Sequence, residues 1–350
     1  MIDYLIVGSG LAGISFAEIA LQNKKSILVF DNNSQPSSRI AGGLYNPVVL
    51  KRFSEVWKAK EQLEFGFPLY HNIQEKLNVV FDYKIPILRK LASIEEQNNW
   101  FQAADKPNLA PFLNPNLVNI KYQNIDAPFH YGLVNETGYL DINTLILSYS
   151  NYLKQINAFS EDTFDYNAIQ FFDNHISYKV IEAKHIIFAE GFGLHSNPFF
   201  NDLPLDGTKG ELLIIRAPNL KLDVVIKSSV FMLPIGNDLY KVGATYDWSD
   251  KTNIPTEAGK QELIEKLNEL ISCDYEIVQH FAGVRPTVKD RRPLVGTHPN
   301  HSQLHVLNGL GTRGVMLGPY LANQLFEHIE NQLPLEKEID IVRCYKKNRN

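Results

Sequence analysis

Residues 2–13 read IDYLIVGSGLAG, and this stretch decides the fold. Its first six residues are an apolar run that predicts a buried parallel strand, and the apolar pattern that follows predicts a helix over about 11–21. Gly8 allows a tight turn, Gly10 lets the backbone approach a pyrophosphate, and Gly13 lets the helix pack closely on the strand. The stretch therefore predicts phosphate binding at a helix N-terminus, where free N–H groups and the helix dipole favour an anion.

A second apolar run supports this interpretation. SILVF at residues 26–30 predicts another buried strand, and it ends at Asp31, 21 residues after Gly10. A carboxylate at that distance binds a ribose hydroxyl in dinucleotide sites. Strand, glycine turn, helix, strand and acid together predict a dinucleotide-binding unit, and the alternative is a glycine-rich turn in an ordinary α/β domain.

Composition excludes several other classes of protein. The 350 residues carry a formal charge of −5, so no overall basic field indicates nucleic-acid binding. Cys273 and Cys344 form no CxxC pair, which favours a reducing compartment and argues against a dithiol or zinc centre. His298, His301 and His305 have no acidic ligand pattern around them, so we predict no metal. No run of 18 apolar residues and no basic leader is present, so we expect a cytoplasmic protein without a membrane span.

The segment after Asp31 is rich in Asn, Ser, Pro and Gly, which predicts a loop through about residue 49. Within it, Gly42 and Gly43 allow the backbone to approach something flat or bulky. Arg39 could lie near a phosphate or be a solvated surface charge.

The remaining pattern alternates between helices and strands. Helical spacing covers 54–78 (with Pro68 beginning a new turn), 93–103, 142–152 and 256–271, with Asp141 as an N-cap. HIIFAEGFG at 185–193 repeats the logic of the first strand, 208–246 predicts an antiparallel set, and 304–308 predicts a strand before a second glycine turn and a helix to about 329. The expected organisation is a discontinuous nucleotide domain with a second domain inserted between its parts. Its boundaries are 1–78, 155–207 and 291–350 for the nucleotide domain, and 79–154 and 208–290 for the second.

Seven short motifs occur in an order that resembles a known family. They are VGSGLAG with Asp31, AGGLY (41–45), FAEG (188–191), KGEL (209–212), VGAT (242–245), GVRP (283–286) and the glycine turn before the last long helix. This order resembles the FAD-dependent D-amino-acid oxidase and glycine oxidase family over nearly the whole chain. GGLYNP (42–47), AGVRPTVKDRRPLVG (282–296) and GLGTRG (309–314) are most similar to the oxidase half of MnmC, the bifunctional enzyme of tRNA wobble uridines.

The resemblance implies an α/β fold, with a discontinuous Rossmann-like FAD-binding domain and an α+β substrate domain containing a mixed or antiparallel sheet. It implies FAD as cofactor, and non-covalent binding, because Cys273 does not lie where sarcosine oxidase carries its flavin-linking cysteine. No histidine is placed to act on a carbonyl as a nicotinamide dehydrogenase would need, which also favours FAD over NAD. By resemblance and by the glycine turns, the predicted cofactor contacts are Gly8, Ser9, Gly10, Leu11, Ala12, Gly13, Asp31, Asn32, Arg39, Ala41, Gly42, Gly43, Leu44, Ala189, Glu190, Gly191, Gly309, Gly311, Thr312, Arg313, Gly314, Val315 and Met316.

Arg285 is the principal substrate candidate. It ends a predicted strand, and a planar guanidinium can bind a carboxylate through two parallel hydrogen bonds. The alternative is a partly buried arginine paired with a core acid. Arg313 could be a second anion contact, and Tyr45 and Tyr246 are further pocket candidates, although tyrosines in so aromatic a chain mostly pack in the core.

Three functions stay open at this level. The first is oxidation of a tRNA wobble uridine, for which the basic run of Lys289, Arg291 and Arg292 could contact phosphates or simply be a solvated turn. This sequence does not contain the methyltransferase half of MnmC, which leaves a one-step role or a different amine open. The second function is oxidation of a free amine or amino acid such as glycine or sarcosine, with dioxygen as the expected electron acceptor. The third is a flavin-binding protein without turnover. The oligomeric state is not predicted.

Overall fold

The computed structural model describes residues 1–346, so the last four residues of the predicted range 291–350 lie outside it. The strands are β1 (Ile2–Val7), β2 (Ile27–Phe30), β3 (Leu44–Tyr45), β4 (Val48–Val49), β5 (Ser54–Glu55), β6 (Asp82–Lys84), β7 (Ile87–Lys90), β8 (Tyr131–Val134), β9 (Gly138–Leu140), β10 (Phe159–Ser160), β11 (Ile169–Phe171), β12 (Ile176–Tyr178), β13 (Ile181–Phe188), β14 (Thr208–Arg216), β15 (Val225–Lys227), β16 (Phe231–Pro234), β17 (Leu239–Gly243), β18 (Glu276–Arg285), β19 (Leu294–His298) and β20 (His301–Asn308). The helices are α1 (Leu11–Gln22), α2 (Ser37–Ile40), α3 (Ala59–Leu77), α4 (Ile94–Ala104), α5 (Ile142–Gln155), α6 (Glu257–Asn268), α7 (Gly314–Asn331) and α8 (Val342–Lys346).

The first sheet contains the predicted nucleotide strands. Its order is β10-β2-β1-β13-β12-β11. Strand β12 pairs with the first residues of β13, and β20 pairs in parallel with the last residues of β13. Strand β19 pairs with β20. β1 lies between β2 and β13, parallel to both. The apolar runs that enter the glycine turns are therefore neighbouring central strands, and their carboxyl ends meet at one edge.

The second sheet is mixed and larger than a simple hairpin set. Its order is β18-β14-β17-β16-β15-β7-β8, antiparallel except for the parallel pair β15 and β7. One face packs on α6 through Leu213, Val242, Leu263 and Leu267, all buried. Because side chains alternate along a strand, the other face of this sheet is free to form the wall of a site.

The predicted α/β class with a second, mixed sheet is confirmed. The strands of the first sheet come from 2–30, 159–188 and 294–308, and those of the second from 87–134 and 208–285. The exact domain division stays a prediction. Helix α5, which the prediction assigns to the second domain, also contacts the nucleotide-binding part. The hydroxyl of Tyr149 in α5 donates to the buried carboxylate of Glu18 in α1 at 2.9 Å, so this helix packs on the nucleotide unit.

The helix predicted over 54–78 begins later, at Ala59. Residues Ser54–Glu55 form β5, which pairs with β4, and Lys58 has a positive φ of 49° before the helix starts. Pro68 lies inside this single helix rather than beginning a new one. Short-range pairing of β4 with β5 thus overrides the helical spacing of the first residues.

Candidate active site

A cleft of about 1790 Å³ lies between the carboxyl edge of the first sheet and the free face of the second. Pockets for small ligands usually measure about 300–1,000 Å³, so this cleft has room for a dinucleotide and a substrate together. Strands β1 and β13, the N-termini of α1 and α7, and the segment 41–46 form one side. Strands β14, β15 and β16 contribute to the other side.

The turn after β1 is built for close backbone packing. Gly8 has a φ of +102°, and a Cβ there would overlap the carbonyl oxygen of Ala189. A Cβ on Gly13 would overlap the carbonyl oxygen of Gly8. Helix α1 begins at Leu11 with Gly10 as its N-cap and no side chain bonded to its end. Its first N–H groups therefore point into the cleft without a side-chain partner, which is an anion site.

Asp31 directly follows β2 and lines the cleft. Its carboxylate accepts hydrogen bonds from the Ser9 backbone N–H at 2.5 Å, the Ser9 hydroxyl at 2.6 Å and the Asn33 N–H at 2.6 Å. These bonds orient the carboxylate, and its remaining lone pairs can accept from a ribose hydroxyl. Ser9 therefore positions Asp31 and does not itself line the cleft.

Glu190 follows β13, is half-buried and lines the same end of the cleft. Burial raises the pKa of Glu190 to about 7, although hydrogen bonds from Asn197 and Tyr166 oppose the rise. The Asn197 amide donates to its Oε2 at 2.8 Å, and the Tyr166 hydroxyl donates to Oε1. A carboxyl group with a pKa near 7 is partly protonated at neutral pH. It can then donate a hydrogen bond to a ligand or accept one without placing a full negative charge next to phosphates.

The second glycine turn brings the end of the chain to the same cleft. Gly309 and Gly311 have φ values of +75° and +55°, and the Gly311 N–H donates to the carbonyl of Pro286 at 3.0 Å. Helix α7 begins at Gly314 without a side-chain cap, and a Cβ on Gly314 would lie 3.0 Å from the Leu11 side chain. The N-termini of α1 and α7 therefore lie side by side at one wall.

Gly42 and Gly43 lie between that wall and the second sheet. Gly43 has a φ of +74°, and a Cβ there would overlap the carbonyl oxygen of Leu140. A Cβ on Gly42 would lie 2.8 Å from the Phe231 ring on β16. The predicted close approach at this turn thus includes an aromatic side chain of the opposite wall.

Arg285 ends β18 and projects into the cleft. Its guanidinium lies 4.6 Å from the centre of the Tyr246 ring, occupies the space above Gly210, and donates to the carbonyl of Thr245 at 3.3 Å. Burial lowers the pKa of Arg285, but a guanidinium stays charged at neutral pH. Among residues 1–346, no carboxylate pairs with it, so most of its N–H donors are available to a ligand.

The two tyrosine candidates differ. Tyr246 is 61% exposed and forms one side of the Arg285 site. Tyr45 also lines the cleft, but it is a core residue, 2% exposed, whose hydroxyl donates to Asp82 at 2.8 Å.

Four arginines surround one mouth of the cleft. Burial lowers the pKa of Arg313, and the positive charges of Arg291, Arg52 and Arg292 lower it further. Arg292 pairs with Glu338 at 3.3 Å, but in the described part of the chain Arg52, Arg291 and Arg313 have no carboxylate partner. This cationic rim is a second place where an anion would be stabilised.

The family model described as FAD dependent oxidoreductase, DAO, matches residues 3–327. The chain belongs to this family. Its curated relatives include the bifunctional protein MnmC of tRNA 5-methylaminomethyl-2-thiouridine biosynthesis from Marinobacter nauticus, 27% identical over 192 residues that cover 48% of this chain and 30% of the relative. Glycine oxidase of Bacillus subtilis is 26% identical over 157 residues, which cover 43% of this chain and 42% of the relative. The alignments thus span less than half of either relative.

Solved structures agree with this fold. Iminodiacetate oxidase from Chelativorans sp. BNC1 superposes with a TM-score of 0.78 at 16% identity, covering 96% of this chain and 98% of that one. Glycine oxidase from Geobacillus kaustophilus gives 0.75 at 17% identity, covering 98% and 97%. At such low identity these similarities concern the fold alone.

The cleft of this DAO-family chain fits FAD, the cofactor of its family. The fit rests on glycines whose Cβ positions are filled by backbone, two helix N-termini without side-chain caps, and an oriented carboxylate at the end of β2. Of the predicted cofactor contacts, all but Ser9, Gly13 and Arg39 line the cleft. Gly13 acts through helix packing, and Arg39 donates to the Asn33 side chain at 3.0 Å.

Further features of this DAO-family chain bear on its chemistry. Neither Cys273 nor Cys344 lines the cleft, so non-covalent FAD stays our prediction. Residues 1–346 contain no group of three or more His, Cys, Asp or Glu placed to hold a metal ion. In the same range no helix is both long and apolar enough to cross a membrane.

Sequence reasoning missed Phe231, Lys227 and Arg52, which also line the cleft. Phe231 and Lys227 belong to short strands whose cleft-facing side depends on pairing with distant strands. Arg52 lies in the turn between β4 and β5, and its neighbour Lys51 gave the only local signal, a short basic pair.

Proposed function

We propose that this chain oxidises the C–N bond of an amine that carries a carboxylate, either an N-substituted glycine or an amino acid. The observation that carries the proposal is Arg285, a guanidinium in the cleft without an ion-pair partner in the described residues. A bidentate bond to the substrate carboxylate would fix the position of the adjacent carbon. When bound, FAD supplies a ring that accepts a hydride from that carbon, and water then hydrolyses the imine.

The chain's own residues contribute positioning and exclusion of water. Arg285 and Tyr246 hold the carboxylate end, and Phe231 closes the apolar side opposite Gly42. Correct orientation of the reactants accounts for a large part of enzymatic rate enhancement. By holding the substrate carboxylate in place, these residues would therefore contribute to catalysis. Similarity to glycine oxidase and MnmC supports the same chemistry without deciding the amine.

Anaerobic titration of the purified yellow protein tests the proposal. Sarcosine, glycine and longer N-alkylglycines should bleach the flavin absorbance, whereas the corresponding N-alkylethanolamines, which lack the carboxylate, should not. Bleaching by both series alike would refute a carboxylate site. The electron acceptor, dioxygen in our prediction, is identified by measuring oxygen uptake in the same samples, and a cytoplasmic location also stays a prediction.

A second candidate substrate is a modified wobble uridine in tRNA. The specific observation in its favour is the cationic rim of Arg52, Arg291, Arg292 and Arg313, which could bind phosphates near the cleft. Hypomodified tRNA should then bleach the flavin where free amines do not. Arg291→Ala should lower tRNA affinity and reduce the slope of log K against log salt by about 1, with exposed Arg216→Ala as the control. If the salt dependence of tRNA binding is unchanged in Arg291→Ala, the cationic rim does not bind RNA.

A flavin-binding protein without turnover is not favoured. An Arg285 held in an internal ion pair would have supported that alternative, and the described residues provide no such pair.

A further inference from the structure

A row of paired residues crosses the cleft face of the second sheet. Leu212 on β14 pairs with Gly243 on β17, Gly243 pairs with Phe231 on β16, and Phe231 pairs with Lys227 on β15. Leu212, Phe231 and Lys227 all line the cleft. The row therefore defines a straight path along one wall, from the strand beneath Arg285 to Lys227.

The two ends of this path are cationic and its middle is apolar. Arg285 lies above Gly210 on β14, two residues from Leu212. A Cβ on Gly243 would overlap the Leu212 side chain and lie 3.1 Å from the Phe231 ring, so these two side chains cover the floor between the ends. Three strand spacings of about 4.8 Å separate β14 from β15, which places the ends roughly 14 Å apart.

Lys227 is an unusual lysine for this position. It is half-buried, it lines the cleft, and among residues 1–346 its ammonium group has neither a hydrogen-bond nor an ion-pair partner. The two cationic side chains near it each have an ion-pair partner: Arg89 pairs with Glu96 at 2.8 Å, and Lys266 pairs with Glu262 at 2.5 Å. A partly desolvated ammonium without a partner is unfavourable, and a ligand anion would reduce that cost.

We propose that Lys227 binds a second anionic group of the substrate, so that the substrate is a secondary amine with a carboxylate at each end of an aliphatic chain. This inference rests on the proposed function, since Arg285 holds the first carboxylate. The apolar floor of Leu212 and Phe231 accommodates the chain between the two carboxylates. Burial, and to a smaller extent the charges of Arg89 and Lys266, lowers the pKa of Lys227 to about 8, and a bound carboxylate would favour the charged form.

Steady-state kinetics with two matched series test this inference. One series is N-(ω-carboxyalkyl)glycines of increasing chain length, and the other is their ω-methyl esters, which lack the second charge. The diacids should be preferred, with an optimum length that matches the path, and Lys227→Met should lower kcat/KM for the best diacid by about 30-fold or more while leaving the esters unchanged. Lys90→Met is the matched control, because Lys90 points to the opposite face of the neighbouring strand and does not line the cleft.

Calorimetry with a thioether diacid, in which sulfur replaces the amine, provides a readout without turnover. The wild type should bind it more tightly than its half-ester, and Lys227→Met should bind both equally. If the wild type oxidises diacids and esters equally well, or if Lys227→Met slows both equally, the second site is refuted while the proposed function stands. If neither N-substituted glycines nor amino acids are oxidised, the proposed function itself fails. Should Lys227→Met not fold, the length and ester dependence of the wild type alone decides the question.

Discussion

Replacing Arg285 by alanine should weaken binding of carboxylate-bearing amines strongly while leaving FAD in place. The guanidinium is partly buried, has a single hydrogen bond to Thr245, and has no ion pair in the described residues, so a substrate carboxylate would be its main partner. Loss of one member of a desolvated charge pair costs about 2–5 kcal/mol. At about 1.4 kcal/mol per tenfold change, KM should rise by roughly 30-fold to a few thousand-fold.

The assay is oxygen uptake or anaerobic flavin reduction over a range of N-alkylglycine concentrations, with flavin content measured from the absorbance of the purified protein. Arg285→Lys should retain part of the affinity, because an ammonium supplies charge without the two-pronged geometry. Arg216→Ala, at the exposed far end of strand β14, controls for the loss of an arginine elsewhere on the same sheet.

Gly210→Ala perturbs the same site without removing the charge. A Cβ at Gly210 would overlap the Arg285 guanidinium, so the side chain must move. KM should therefore rise although the arginine is intact. A KM that is unchanged in both Arg285→Ala and Gly210→Ala, in protein with full flavin occupancy, would show that the carboxylate does not bind at Arg285.

Two further predictions concern the cofactor end of the cleft. Gly10→Val should yield folded but colourless protein, because a Cβ at Gly10 meets only the Ser38 hydroxyl at 3.2 Å in the protein itself but would block a pyrophosphate; full flavin occupancy would contradict this. The raised pKa of Glu190, about 7, means that the folded apoprotein holds this proton more tightly than the unfolded chain, so its stabilising contribution is present at low pH and is lost as pH rises through about 7. In the wild type, this group should lower the unfolding free energy by roughly 3 kcal/mol between pH 4.5 and 7, and in Glu190→Gln that decrease should be absent. Urea denaturation of both proteins at several pH values measures the difference. Identical pH dependence in the two proteins would count against this prediction.

Local sequence signals predicted the first glycine turn, which lines one end of the cleft. The turn at Gly8 to Gly13 depends on residues within one strand and one helix, and its glycines are required by contacts that any chain of this pattern would make. The starts of α5 and α6 were predictable for the same reason, whereas the start of α3 was not. Asp141 accepts a hydrogen bond from Thr144 N–H, and Thr256 accepts one from Gly259 N–H, each within a single turn.

The opposite wall could not be predicted in the same way. Whether Phe231 or Met232 faces the cleft depends on the register of β16 against β15 and β17, and a shift of one residue would exchange them. Lys227 ends a three-residue strand whose apolar neighbours are typical of any core strand. Arg285 was identified from the family resemblance, and because it ends a predicted strand and a guanidinium can bind a carboxylate, whereas its lack of an internal ion-pair partner became visible only in three dimensions.

The arrangement of the walls along the chain separates cofactor binding from substrate binding. The helices that face the cofactor come from the two ends of the sequence and pack on each other, with the Gly318 Cβ position 3.2 Å from the Ser15 hydroxyl. Arg285 and Lys227, by contrast, come from the inserted strands between 208 and 285. Because the strands of the inserted sheet pair with one another and with β7, substitutions on its cleft face can change the shape and charge of the substrate site without altering the glycine turns. Variants at these positions should therefore purify with flavin and differ in amine preference, whereas variants in either glycine turn should lose flavin whatever the substrate.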